Sequence, residues 1–181
     1  MKNRPEIIAR QFLSFLKKKK LFLLYLPSVL FSGNLELSNH APTAEEYVAV
    51  RSAAGMKERS ISSAEKGIRN SLFWVTVRDR DILIGMGRVV GDGGTVAQVT
   101  DIAIHPSYQK KGYGKLIFEQ IQDYILREIP DDAFVCLFTE KNQGAFYQKY
   151  GYQYSEMQWP GMYWPCADRR KFKQMRESPS S

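Results

Sequence analysis

The stretch Gln98-Val-Thr-Asp-Ile-Ala-Ile-His-Pro-Ser-Tyr-Gln-Lys-Lys-Gly-Tyr-Gly-Lys-Leu-Ile-Phe118 constrains the fold of this chain more than any other. An apolar strand over 96–105 is closed by Pro106, and the hydrophobic period then changes. Leu116, Ile117, Ile121, Tyr124 and Ile125 recur at helical spacing, which predicts a helix from Gly112 to Ile129. The loop between them is Gln109-Lys-Lys-Gly112-Tyr-Gly114. Its glycines admit backbone conformations closed to other residues and let a ligand come close. The amides and dipole at a helix start attract anions, and Lys110, Lys111 and Lys115 add full charges suited to phosphate. A solvated helix start is the other reading of those lysines.

The flanking chain surrounds this unit with more strands and helices. A short strand is expected over 34–39. Thr43-Ala-Glu-Glu46 reads as a capping box opening a helix that Gly55 stops near Ala54. A second helix is expected over 63–72, then strands over 73–78 and 82–90, joined by a tight turn at 79–81. Gly91-Asp-Gly-Gly94 is a hairpin turn into the strand at 96–105. Residues 133–139 form a continuous apolar run, as in a buried strand. A short helix follows over 142–150, and strand returns from Tyr152. Three consecutive strands followed by a β-α-β unit imply an α/β (α+β) fold, with a mixed sheet of six or seven strands and helices on both faces.

Two common phosphate-binding motifs do not fit. A dinucleotide fold needs a third glycine where Ile117 stands, near the first strand rather than after three. A Walker loop needs Ser or Thr after Gly114-Lys115, and Leu116 stands there. The arrangement instead resembles the GCN5-related N-acetyltransferase (GNAT) superfamily. The carrying residues are Asp101-Ile-Ala-Ile-His-Pro106, then Gln109-Lys-Lys-Gly112-Tyr-Gly114, and later Ala145-Phe-Tyr-Gln-Lys-Tyr-Gly-Tyr152. The likeness covers about residues 34–165, and its motifs fall in the family's order on the expected elements. Gly161-Met-Tyr-Trp164 is similar to the end of small-amine acetyltransferases, including the plant serotonin (aralkylamine) N-acetyltransferase group.

The resemblance implies an enzyme that transfers acetyl from acetyl-coenzyme A to a primary amine by direct attack in a ternary complex, without a metal. It implies that Gln109, Lys110, Lys111, Gly112, Tyr113, Gly114 and Lys115 hold the pyrophosphate, and that the backbone of Ile102, Ala103 and Ile104 pairs with the pantetheine arm. It assigns Tyr147 to protonate the leaving thiolate; a core aromatic is the alternative. Many relatives carry an asparagine seven positions before this tyrosine. Glu140 fills that slot here, and Asn142 either takes over the contact or caps the helix.

An amine nucleophile has a pKa of about 10, so the site must accept a proton before attack. Regular alternation sends Gln98, Thr100, Ile102 and Ile104 to one face of the strand, and Val99, Asp101, Ala103 and His105 to the other. Gln98 and Thr100 hold positions where relatives carry the proton-relaying group, but both are neutral and position a water at most. Asp101 is the nearest ionisable group. It takes a proton role only if a bulge turns it, and otherwise is a structural carboxylate. His105, beside Pro106, reads as structural. Trp159, Tyr163 and Trp164 make either an aromatic wall for an ammonium or a core edge.

The acceptor classes are a small amine (aralkylamine or polyamine-like), a protein or peptide amine, or none, in a non-catalytic acyl-coenzyme A-binding module. Charge bears on that choice. The chain's formal charge is +7, but residues 1–33 hold seven bases and one acid, and residues 167–181 hold five bases and two acids. The remainder has 14 bases and 16 acids. A body this close to neutral is not expected to bind nucleic acid. The expected organisation is a basic, partly apolar extension (1–33), the acetyltransferase domain (34–166) and a basic, disordered tail (167–181). In the extension Lys17, Lys18, Lys19 and Lys20 precede the apolar run 21–31, which is too short to span a bilayer. Targeting, membrane contact and packing on the body all stay open for it. Cys136 and Cys166 cannot build a disulfide framework. That and the acetyl-coenzyme A pool favour the cytoplasm, and the resemblance admits a homodimer.

Overall fold

A computed structural model describes residues 35–140 and 143–154. The chain divides into two compact units, Met1–Phe138 and Thr139–Ser181. The first unit holds β1 (Leu35–Ser38), α1 (Ala44–Ala53), α2 (Ile61–Arg69), β2 (Phe73–Asp79), β3 (Ile82–Gly91), β4 (Val96–Ile104), a 3-10 turn (Pro106–Tyr108), α3 (Tyr113–Glu128) and β5 (Phe134–Leu137). The second holds α4 (Gly144–Gln148).

The sheet runs β1-β2-β3-β4-β5, five strands among the described residues. β1 to β4 are antiparallel in sequence, and β5 joins β4 in parallel, so the sheet is mixed as expected. α1 begins at the predicted capping box. The Glu46 amide donates to the Thr43 hydroxyl (3.2 Å), and the Thr43 amide donates to the Glu46 carboxylate (2.9 Å). α2 starts two residues before the expected position because Ser60 caps it, its hydroxyl accepting from the Ser63 amide. It ends at Arg69, before residues 73 onward enter β2. The strand expected from Tyr152 is not formed over residues 152–154.

Two cores flank the sheet. On one face Tyr47 and Val50 of α1, Ala64 of α2, Trp74, Met86 and Ala103 make one buried cluster. On the other, α3 buries Ile117, Phe118 and Ile121 completely. Each such side chain contributes roughly 1.5–3 kcal/mol of burial. The helix lies so close to the sheet there that a Cβ on Gly87 would sit 2.7 Å from Ile117 Cγ2 and 2.9 Å from Ile121 Cδ1. Phe73 stacks on Tyr124 of α3, ring centroids 4.2 Å apart.

Candidate active site

The loop leaving β4 is tied down from both ends. The Gln109 side-chain amide donates to the Ile104 carbonyl (3.0 Å), and the Tyr108 hydroxyl donates to Asp79 at the end of β2 (2.7 Å). That hydrogen bond and burial raise the Tyr108 pKa above its ordinary value, so the hydroxyl stays a donor. Lys110 has φ +60° and Gly112 has φ +89°. Gly112 is the N-cap of α3 and contributes no side-chain hydrogen bond, so the amides of the first turn receive no cap from that residue. Lys110 and Lys111 are exposed beside it, Lys111 lying over the Tyr108 ring at 5.0 Å. Lys115 reaches Glu119 at 4.0 Å. The donors and charges suit a diphosphate, and an open helix end is the feature such a ligand needs.

Just before this loop β4 departs from a regular strand on both edges. Its ladder with β5 ends at Val99–Leu137, so among the described residues no strand pairs with Thr100 to Ile104 on that side. Toward β3, Ala103 faces Met86 but Thr100 faces Arg88. β4 therefore uses one residue more than β3 over this interval, a bulge, and Asp101 sits in it at φ +56°.

The bulge corrects the expected faces. Ile102 and Ile104 lie toward α3, where they would meet a Cβ on Gly87 and Gly85. Thr100, paired with Arg88, and Gln98, paired with Val90, share the α1 face with Ala103. Asp101 turns to that same face, not the opposite one. There it accepts from the Tyr47 hydroxyl (2.8 Å) and from Arg88 Nε (2.7 Å), and it pairs with Arg51 Nη1. Both carboxylate oxygens are thus engaged by donors on the α1 face. Asp101 and the α1 environment raise the pKa of Tyr47, burial first, so Tyr47 remains a donor to it.

Arg51, Arg88 and Tyr47 were not among the residues singled out from the sequence. The available signal was a charge at an apolar position: Arg51 on the buried side of α1, and Arg88 in the run Gly-Met-Gly-Arg-Val-Val. Tyr147 belongs to the second unit. Burial raises its pKa, against a smaller opposite effect of its hydrogen bond with Thr139, so it is protonated near neutrality. Its ring meets Phe146 and Tyr152 edge-on. Asn142, Trp159, Tyr163, Trp164, Cys166 and residues 1–33 lie outside the described residues. Among the described residues no cluster of metal-ligating side chains occurs, and no helix is long and apolar enough to cross a membrane.

The acetyltransferase (GNAT) domain family matches residues 69–154. A crystal structure from methicillin-resistant Staphylococcus aureus, described as a probable acetyltransferase of unknown function, is 44% identical. It covers 72% of this chain and 98% of its own, with a TM-score of 0.68. An uncharacterised ycf52-like N-acetyltransferase of Prochlorococcus marinus is 36% identical over 106 residues, 55% of this chain and 57% of that protein. Soybean histone acetyltransferase TAP1 is 29% identical over 112 residues, covering 62% of this chain and 47% of its own. The chloroplastic GCN5-related N-acetyltransferase 2 of Arabidopsis is 32% identical over 82 residues, 45% of this chain and 31% of its own. The chain thus spans little more than half, or less, of these curated relatives. With the mixed sheet, the bulged β4 and the glycine-capped α3 in place, the chain belongs to the GNAT family of acetyltransferases.

Proposed function

We propose that the protein transfers acetyl from acetyl-coenzyme A to the primary amine of a small molecule, both substrates being bound together. The observation that carries this reading is the sequence of backbone features along β4. Its pairing with β5 stops, its pairing with β3 bulges, and a glycine-capped helix follows within ten residues. The helix start takes the pyrophosphate, with Gln109, Lys110, Lys111, Gly112, Tyr113, Gly114 and Lys115 around it. The edge at Ile102, Ala103 and Ile104 takes the pantetheine arm. An amide of Ile102 or Ala103 stabilises the negative charge that develops on the acetyl oxygen. Tyr147 returns a proton to the departing thiolate. Asp101 is engaged by two guanidinium groups, so water held near Gln98 and Thr100 accepts the amine proton.

The near-neutral body favours a small amine over an acidic polymer or its complexes, and Gly161-Met-Tyr-Trp164 favours an aralkylamine over a polyamine. Tyr163 and Trp164 then wall the acceptor, and Asn142 assists the pantetheine. The soybean relative named as a histone acetyltransferase supports a second reading, a protein lysine as acceptor. The chloroplastic relative favours a plastid setting over the cytoplasm expected from the cysteines. Thiol release measured over aralkylamines, polyamines and lysine peptides tests the assignment. Turnover of aralkylamines with the highest kcat/KM supports it. Peptides as the best substrates transfer it to the second reading, and coenzyme binding without any turnover overturns both.

A further inference from the structure

A buried ionic cluster stands behind the bulge, and the transfer chemistry does not consume it. Asp101, Arg51 and Arg88 have side chains 7%, 4% and 14% exposed. Two guanidinium groups face one carboxylate, and Arg51 Nε has no hydrogen-bond partner among the described residues. Gluing α1 to the sheet does not require this: apolar residues of similar volume do it as well or better than buried ion pairs. The cluster does something that apolar packing cannot, because it pulls on one residue from two sides. Arg88 Nε holds one Asp101 oxygen from β3 while Arg51 holds the other from α1. Arg88 is itself fixed in direction. Its Nη1 donates to the Gly67 carbonyl (2.8 Å) and to the Ser71 hydroxyl (3.0 Å), and its Cζ lies 5.5 Å from the Tyr47 ring and 5.3 Å from the Trp74 ring. Arg51 Nη2 donates to the Lys57 carbonyl (3.0 Å). The residue so held has a left-handed backbone, a conformation that aspartate enters more readily than most L-residues and that its three side-chain contacts hold in place.

We propose that Arg88 and Arg51, acting through Asp101, are positioning residues for acetyl transfer: they hold the bulge in β4 and so aim the one backbone amide, of Ile102 or Ala103, that faces the acetyl carbonyl. The proposal rests on the acetyl-coenzyme A reading above. A planar fork with several fixed donors is what sets a direction here, and a lysine ammonium supplies the charge without it.

Calorimetric titration of the full chain with acetyl-coenzyme A and, separately, with free coenzyme A tests this without needing the acceptor. The two ligands share the pyrophosphate and pantetheine contacts and differ at the acetyl group. Arg88→Lys should weaken acetyl-coenzyme A about five-fold or more beyond its effect on free coenzyme A, the scale of one lost hydrogen bond, since both ligands share the pantetheine contacts at this edge. Tyr47→Phe, which removes one donor to Asp101 and keeps the packing, should raise the ratio of the acetyl-coenzyme A Kd to the coenzyme A Kd about four-fold, and it decides the matter alone if Arg88→Lys does not fold. A shift of both ligands together, or of neither, overturns the positioning role and leaves the coenzyme reading standing. If the native protein binds neither ligand, the coenzyme reading falls and the positioning role with it.

Discussion

Replacing Gly112 by alanine separates a backbone requirement of the loop from every steric one. A Cβ at Gly112 would meet no atom of the described residues within 4 Å, so the added methyl has room among them. The cost lies in φ +89° alone, and for an L-residue a left-handed conformation costs roughly 1–2 kcal/mol. That energy can surface in two places. If the loop keeps its shape without ligand, the free protein loses it as stability. If the loop relaxes to negative φ, the free protein is spared and the coenzyme binds about 5–30-fold more weakly, because binding must restore the shape. Linkage makes the two cases converge: with coenzyme saturating, unfolding becomes easier by the full ~1–2 kcal/mol in either case.

Gly55 supplies a matched control. It too has positive φ, +74°, with nothing among the described residues within 4 Å of a Cβ, but it follows α1 rather than opening α3. Gly55→Ala should lower stability by a similar ~1–2 kcal/mol with and without coenzyme and leave the coenzyme Kd unchanged. Gly112→Asn should recover much of the loss, since asparagine visits the left-handed region readily. Urea unfolding with and without saturating coenzyme A, together with titration of the Kd, gives the three comparisons. The reasoning is refuted if Gly112→Ala matches the native protein under saturation, or if Gly55→Ala shifts the Kd as Gly112→Ala does.

Gly87→Ala should behave differently, because a Cβ there collides with the fully buried Ile117 and Ile121. Overpacking of this kind costs about 1–3 kcal/mol, and an unchanged urea midpoint would show that α3 lies farther from the sheet. Glu46 accepts from both Arg78 Nη1 (2.5 Å) and Nη2 (2.8 Å), which holds its pKa below the ordinary 4.5 despite an opposing effect of burial. A lowered folded-state pKa gives stability that is present above the unfolded value and lost as pH falls through the folded one. Glu46→Gln should therefore lose less stability than the native protein as the pH is lowered below 4.5, and parallel stability–pH curves would remove the pair from acid unfolding. Tyr147→Phe should lower kcat at least about ten-fold while leaving the coenzyme Kd within about two-fold, and an unchanged kcat removes the tyrosine from the proton-return step.

The parts of the fold written in periodicity were legible before any coordinates. The change from strand to helical spacing at Pro106–Gly112 placed β4 and α3, and the Thr43–Glu46 reciprocal cap placed α1 to the residue, because both depend on neighbours in sequence. The faces of β4 were not legible. Alternation is a property of a regular strand, and one inserted residue reverses it for everything beyond. Aspartate enters the left-handed region more readily than most residues, but nothing in its sequence neighbours says that Asp101 does so here. Its carboxylate is engaged by Arg51, fifty residues before it, and by Arg88 across the ladder, contacts that no local pattern shows. The same long-range pairing changes what the charge count means. Residues 34–166 carry two more acids than bases, yet two of their arginines and one aspartate are buried together. Taking that buried excess of one positive charge out of the count leaves the remaining groups of the body three units negative.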